Sequence, residues 1–384
     1  MSLSLSAILV ATALRGTLDL SNRVQLGTRA GGAVASPTLD AETSPEVKVS
    51  VQSHRWELTA DYAPRFTGSL VGEDPQSYIL HQGQIGARFQ ARRLSVSFTE
   101  DVGHGRLSLL SLGVAQGAAP GTGTGSLAAL PANEFMDYSW SRTGIVARFA
   151  ASRRWGVSVL GDLSLSGGDS ARAPVPSQTR LHAGARVDHA VSRRDRVTAL
   201  VDVANAGFST GYDNTLAESK VSWRHDLGRG MAATIAGGLG FSTTRGDAAP
   251  AAVSDVLPIA QAGITYRPRT SDLDFGLTLE VAPVIDAVRA RLDERINATA
   301  SVAWTPTREF AVQANLGLAR SIPSGAGVAY SLGSSSLTVS YRVNDVLQLD
   351  GGGRSAWIAA PGIDSLPQWM VFAGATLRVP TLRF

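Results

Sequence analysis

The chain contains no cysteine. That excludes disulfide scaffolds, thiolate metal sites and cysteine nucleophiles, and it leaves no residue for a lipoprotein anchor. Charge is scarce as well: Asp, Glu, Lys and Arg make up 17% of 384 residues, and the formal net charge is only +3. Arg is scattered rather than clustered, so nucleic acid is not an expected partner. Aromatic residues reach just 7%. Beyond the first fifteen or so positions no run of about eighteen apolar residues occurs, and no transmembrane helix is expected.

Glycine, at 40 residues, and short apolar alternations are what the chain has in quantity. From Ile145 to Leu165, Ile145, Ala147 and Phe149 alternate with Val146, Arg148 and Ala150. Ser152-Arg153-Arg154 follows, and then Trp155, Val157, Val159, Gly161, Leu163 and Leu165 alternate with smaller or polar residues. A period of two is a strand signal, and two such runs across a few polar residues predict an antiparallel hairpin. Each arm is about ten residues, apolar on one face, which is the length that crosses a bilayer at a tilt.

The same unit recurs. Hairpins are predicted around Ser53-His54-Arg55, Arg92-Arg93, Ser192–Asp195, Gly228–Gly230, Pro268–Asp272, Pro306–Glu309 and Asn344-Asp345, with a lone strand at each end of the chain. The total is about eighteen strands, with sixteen as the alternative count, and an even number returns both termini to one side. Short turns, most with Arg, alternate with long Gly/Ala/Pro/Ser segments at 31–45, 63–82, 101–136, 166–179, 207–215, 244–257, 283–294, 320–330 and 355–367. This predicts an all-β, antiparallel up-and-down transmembrane barrel over 16–384, with short periplasmic turns and long extracellular loops. Residues 1–15, ending their apolar run at Ala11-Thr12-Ala13, read either as a truncated signal peptide or as the start of the mature chain.

Aromatic rings gather beside the short turns: Trp56, Phe89, Phe149, Trp155, Trp223, Tyr266, Trp304, Phe310 and Tyr341. Rings with one polar end settle at the headgroup level, so these nine are expected to form a girdle against membrane lipid. A soluble β-sandwich is the competing reading, but it would place its aromatics mid-strand.

On these patterns the chain resembles Gram-negative outer-membrane β-barrels. Phe384, after Leu377 and Val379, resembles the C-terminal signal by which such barrels are handed to the assembly machinery, although Pro380 interrupts the alternation. The resemblance implies a bacterial outer-membrane location. The barrel size resembles sugar porins and the large porins of polysaccharide export, and export implies periplasmic export components as partners.

The opposite face of the strands carries both signs. Expected lumen-lining residues are Arg23, Arg29, Lys48, Glu57, Asp61, Arg88, Asp162, Arg186, Asp188, Asp202, Lys220, Arg224, Asp274, Glu280, Arg295 and Arg342. Barrels of this width hold a water channel. Pairing across neighbouring strands accounts for such residues; a track for acidic solutes is the sharper reading. Inner-face aromatics are few (Tyr138, Trp140 and Phe372), which weakens a dedicated sugar slide. The 101–136 segment either folds inward as a constriction, caps the outside, or extends a strand through Leu107–Val114.

No enzyme is expected. His182 and Asp188 share a face but lie about 20 Å apart along a strand, and no nucleophile motif accompanies them. No metal or cofactor is expected either. Gly351-Gly352-Gly353 precedes no helix and reads as a place where the sheet bends. The expected function is a passive outer-membrane conduit exporting a secreted polysaccharide. A general or carbohydrate uptake porin is the alternative within that class, and a closed structural or adhesive barrel the alternative outside it.

Overall fold

The short turns share one local chemistry. The hydroxyl of Ser152 accepts hydrogen bonds from the Arg154 and Trp155 amides at 3.1 and 3.0 Å. Ser192 does the same for Arg194 and Asp195, both at 3.0 Å, and Thr307 for Glu309 and Phe310. The amide oxygen of Asn344 accepts from Val346 and Leu347, both at 2.8 Å. A small side chain that satisfies the turn amides replaces the ladder for a few residues and reverses the chain.

The computed structural model describes residues 13–31, 34–71, 77–108, 135–168, 176–246, 249–268, 272–286, 291–322, 329–359 and 368–383. Their strands are β1 (Ala13–Gly31), β2 (Val34–Gln52), β3 (Trp56–Tyr62), β4 (Arg65–Val71), β5 (Ser77–Gln90), β6 (Leu94–Ser108), β7 (Phe135–Ala150), β8 (Trp155–Gly168), β9 (Gln178–Ala190) and β10 (Asp195–Phe208). The second half continues with β11 (Asp213–Gly228), β12 (Met231–Gly246), β13 (Ala249–Tyr266), β14 (Leu273–Asp286), β15 (Arg291–Trp304), β16 (Phe310–Ile322), β17 (Ser331–Arg342), β18 (Leu347–Ala359) and β19 (Gln368–Arg383).

All pairings are antiparallel between consecutive strands, and β1 closes on β19 with Leu20 opposite Leu377. β3 and β4 both lie between β2 and β5, so they are two halves of one barrel strand. Pro64 separates them; proline has no amide to donate to a ladder. Nineteen elements therefore make an eighteen-stranded closed barrel.

The strands run longer than the apolar alternation predicts. Most of 31–45 belongs to β2, and 63–82 is largely β4 and the start of β5, so neither is a long loop. The ends of 166–179, 207–215, 244–257, 283–294, 320–330 and 355–367 are likewise strand. Beyond the bilayer both faces of a strand meet water, so pairing continues after the alternation fades. Of the 101–136 segment, β6 and β7 take the two ends, and 109–134 lies outside the described residues. Ala13–Arg15, at the end of the leader-like segment, pair with β2; residues 1–12 and Phe384 lie outside the described residues.

Outward positions are apolar and open. Val159 is 54% exposed, Val201 56%, Val221 56%, Ile235 54% and Leu181 59%. A wall that turns its hydrocarbon outward along every strand is built for lipid. Glu100 departs from this rule: it stands at an outward position, opposite Ile85, and accepts hydrogen bonds from Ser141 (2.9 Å) and Thr143. Two hydroxyls offset the desolvation of a carboxylate there.

The β11–β12 turn is the tightest. Gly228, Arg229 and Gly230 have φ of 86°, 53° and 83°. A Cβ on Gly230 would lie 2.2 Å from the Arg267 carbonyl oxygen. Gly230→Ala is therefore expected to destabilise the barrel by about 1–3 kcal/mol, read as earlier unfolding in a urea titration in detergent. Stability equal to the parent protein would contradict the turn geometry.

Candidate lumenal site

The candidate site is the inner face, assembled from alternate residues of every strand. Three groups of side chains stand out on it.

The first lies where β19 and β1 meet. Phe372 is 3% exposed, with the Arg23 guanidinium 4.4 Å and the Arg354 guanidinium 5.6 Å from its ring centroid. Arg65 approaches Glu42 at 3.7 Å, and Arg378 reaches Asp19 at 3.3 Å. Gly352 makes room for this ring: a Cβ there would meet the Leu337 carbonyl oxygen at 2.1 Å and Phe372 Cζ at 2.9 Å. The triple glycine thus serves close packing at its centre, a role that local sequence spacing does not reveal. Stacked guanidiniums keep their outward-pointing N–H groups available to anions.

The second group crosses β7 to β10. His182 contacts Asp162 at 2.8 Å and Asp202 at 3.5 Å, and Arg142 approaches Asp162 at 3.8 Å. Next to it, Arg186 forms a bidentate pair with Asp188, with contacts down to 2.7 Å, and Thr198 donates to Asp188 at 2.6 Å. His182 therefore meets two carboxylates on neighbouring strands rather than Asp188 on its own. Above this group Tyr138, 2% exposed, lies 6.2 Å from Trp140, and Trp140 Nε1 donates to Asp101 at 3.5 Å.

The third group is a reach across strands. Lys220 on β11 meets Glu280 on β14 at 3.6 Å and Gln261 on β13 at 3.5 Å. Gly238, directly opposite Lys220 on β12, puts no side chain in the way.

The remaining predicted lumenal residues have these neighbours. Lys48 stands opposite Asp61, and Glu57 opposite Arg88. Arg224 is opposite Arg196 and Thr234, and Arg342 opposite Gln348. Asp274 pairs with Arg267 at 3.4 Å near a turn. The side chain of Arg29 lies outside the described residues. Arg295 departs from the expectation of a water-facing charge: it is 1% exposed, enclosed beside Asp293 and Tyr330.

The predicted girdle residues lie at outward positions beside the short turns. Trp56 and Phe89 pair at 4.7 Å, and Trp304 meets Phe310 edge-on at 6.2 Å. Trp155 stacks on His189 at 4.0 Å, and Trp223 donates to Asp195 at 3.1 Å. Phe149 and Tyr341 are 46% and 49% exposed, and Tyr266 stands opposite Phe275. The sequence reading did not single out His189 and His225; they extend this belt, His225 through an N–H bond to Asp195 at 2.7 Å.

Solved structures with this fold include OccK9 (OpdG) of Pseudomonas aeruginosa, with a TM-score of 0.52 at 10% identity, covering 95% of this chain and 98% of that one. OccAB4 of Acinetobacter baumannii gives 0.52 at 9% identity, with the same coverage of 95% and 98%. A BenF-like porin from Pseudomonas fluorescens Pf-5 gives 0.50 at 10% identity, covering 95% and 99%. At such identity the likeness speaks for the fold. No curated protein matches the sequence. The model of one family matches residues 7–380, nearly the whole barrel, and the chain accordingly belongs to the EpsX exopolysaccharide export family.

Proposed function

We propose that the chain is a non-enzymatic conduit through which a secreted exopolysaccharide crosses the bacterial outer membrane. Membership of an exopolysaccharide export family over residues 7–380 carries this reading. The closed wall supports it, with hydrocarbon outside and charge of both signs inside. The sixteen predicted inner-face residues serve as its hydrophilic lining, and the nine aromatic residues anchor the wall to outer-membrane lipids. Phe384 is assigned to recognition by the barrel assembly machinery, and the periplasmic mouth to export components that deliver the polymer.

Deleting the gene is expected to abolish secreted polymer while polymer accumulates in the periplasm; secretion at the parent level would sink the export reading. Purified protein should conduct ions in a planar bilayer. The guanidiniums of Arg23 and Arg354, with Arg65 nearby, should favour anions, since charged rings set pore selectivity. Replacing Arg23 and Arg354 by Gln is expected to lower the anion-to-cation permeability ratio about two- to threefold. An unchanged ratio would remove this cluster from the conduction path.

A further inference from the structure

We infer that the tip of the β14–β15 hairpin is folded into the barrel and is the element that narrows the conduit, an inference that rests on the conduit reading above. The barrel ladder is interrupted here. β13 pairs with β14 over seven residue pairs, from Tyr266↔Phe275 to Ala260↔Val281. Beyond them β14 continues with β15 as far as Asp286↔Arg291, while β13 continues with β12 as far as Ala249↔Gly246. Above Ala260 the two hairpins have separated.

The side chains show which way the tip went. Leu277 and Leu279 stand outward on β14 and are 45% and 51% exposed. Pro283 and Ile285 continue the same face, yet both are buried, Ile285 at 8%. Ile285 packs on Ala204, Ala206, Phe208 and Leu216, with Leu292 from the opposite side of the hairpin. Those four wall residues occupy inward positions of β10 and β11, on the face that also carries Asp202 and Glu218. Gly240 is an inward position of β12, and a Cβ there would lie 2.9 Å from Pro283 Cγ. An outward face of β14 meets inward faces of β10, β11 and β12 only if the tip passes along the lumenal side of the wall. The contact between β12 and β15, which are not ladder neighbours, agrees.

The other face of the tip is tied down too. Tyr330 donates to Asp293 at 2.9 Å and accepts from Arg295, whose guanidinium approaches Asp293 at 3.8 Å. Tyr330 is itself held by Ser321, whose hydroxyl accepts from its amide at 2.9 Å. An apolar seat on one side and a buried polar tie on the other fix the tip in place. Its bulk occupies lumen that an unbroken wall would leave to water. In strand order it faces β19, β1, β2 and β4, whose inner side bears Phe372 and its arginines, so a passing chain is threaded between the two.

The absence of native cysteine makes the test direct. Gly240→Cys with Pro283→Cys is expected to cross-link under mild oxidant in isolated outer membranes, seen as a mobility shift reversed by reductant. With the tip in the wall, β13 would separate the two positions by about 9–10 Å and on opposite faces, beyond disulfide reach. Absence of the cross-link would therefore overturn the placement. Replacing 284–293 by Asn-Gly should raise single-channel conductance at least about twofold, because conductance follows the narrowest section. Ile285→Asp, which unseats the tip and keeps the ladder, should raise it as well and keeps the test open if the shortened hairpin does not fold. Unchanged conductance in both would overturn the constriction. An unmodified protein that conducts nothing would instead refute the conduit reading, with the cross-link still reporting where the tip lies.

Discussion

Val201→Arg is expected to lose about 2–4 kcal/mol of barrel stability, whereas Leu160→Arg loses only a small part of that. The two positions differ in what lies beyond the side chain. Val201 stands at an outward position in the middle of β10, 56% exposed, between Ala185 and Ser219 on its neighbours. A guanidinium there leaves water for hydrocarbon, and at bilayer mid-depth that transfer dominates any local hydrogen bond. Leu160 is on the inner face of β8, opposite Gly184, the glycine over which the Asp202 carboxylate lies, and two residues from Asp162. An arginine there keeps access to water and finds two carboxylates. Urea titration of protein refolded into liposomes, followed by heat-modifiable mobility on gels, reads both variants. Equal losses would mean that the two faces of the wall do not differ in solvent, and the transmembrane assignment would fall.

His182→Leu is expected to lose about 3 kcal/mol, with Asp202→Asn in the same chain restoring more than half of it. The side chains of His182, Asp162 and Asp202 are 10%, 11% and 15% exposed. The imidazole stands between the two carboxylates, at 2.8 and 3.5 Å. Removing it leaves two partly enclosed carboxylates facing one another without their shared partner, and that unpaired charge, rather than the lost contact, carries the penalty. Neutralising one of them relieves it. The same titration measures the single and double variants, and a double variant no more stable than His182→Leu would show that the three groups do not act together.

How much of this was legible along the chain depends on whether the deciding physics was local. Facing was local: Val157 and Val159 against Ser158, or Leu181 and Ala183 against His182, alternate because a strand projects successive side chains to opposite sides, whatever its neighbours are. Turns were local as well, since Ser152, Ser192 and Thr307 hydrogen-bond amides two and three residues on. Strand ends were less so. The predicted loop at 31–45 is mostly β2, because ladder bonds continue where the solvent contrast that writes the alternation has stopped. Glu100 was unreadable for the same reason: its tolerance rests on Ser141 and Thr143, some forty residues away on β7.

By itself the sequence determined an all-β transmembrane barrel of about eighteen strands, the side of the wall on which each residue stands, and the positions of the short turns. Period-two alternation and turn chemistry need no knowledge of partners, and they suffice for this. The tertiary structure decided which inner residues share a height, because register belongs to pairs of strands and not to one. It brought His182 to Asp162 and Asp202 rather than to Asp188, joined Lys220 to Glu280 across two intervening strands, and stacked Arg23 and Arg354 on Phe372. It also decided that Arg295 is buried. The alternation through Pro283 and Ile285 reads as wall, and only the end of the β13–β14 ladder at Ala260 frees that hairpin to carry its apolar face inside.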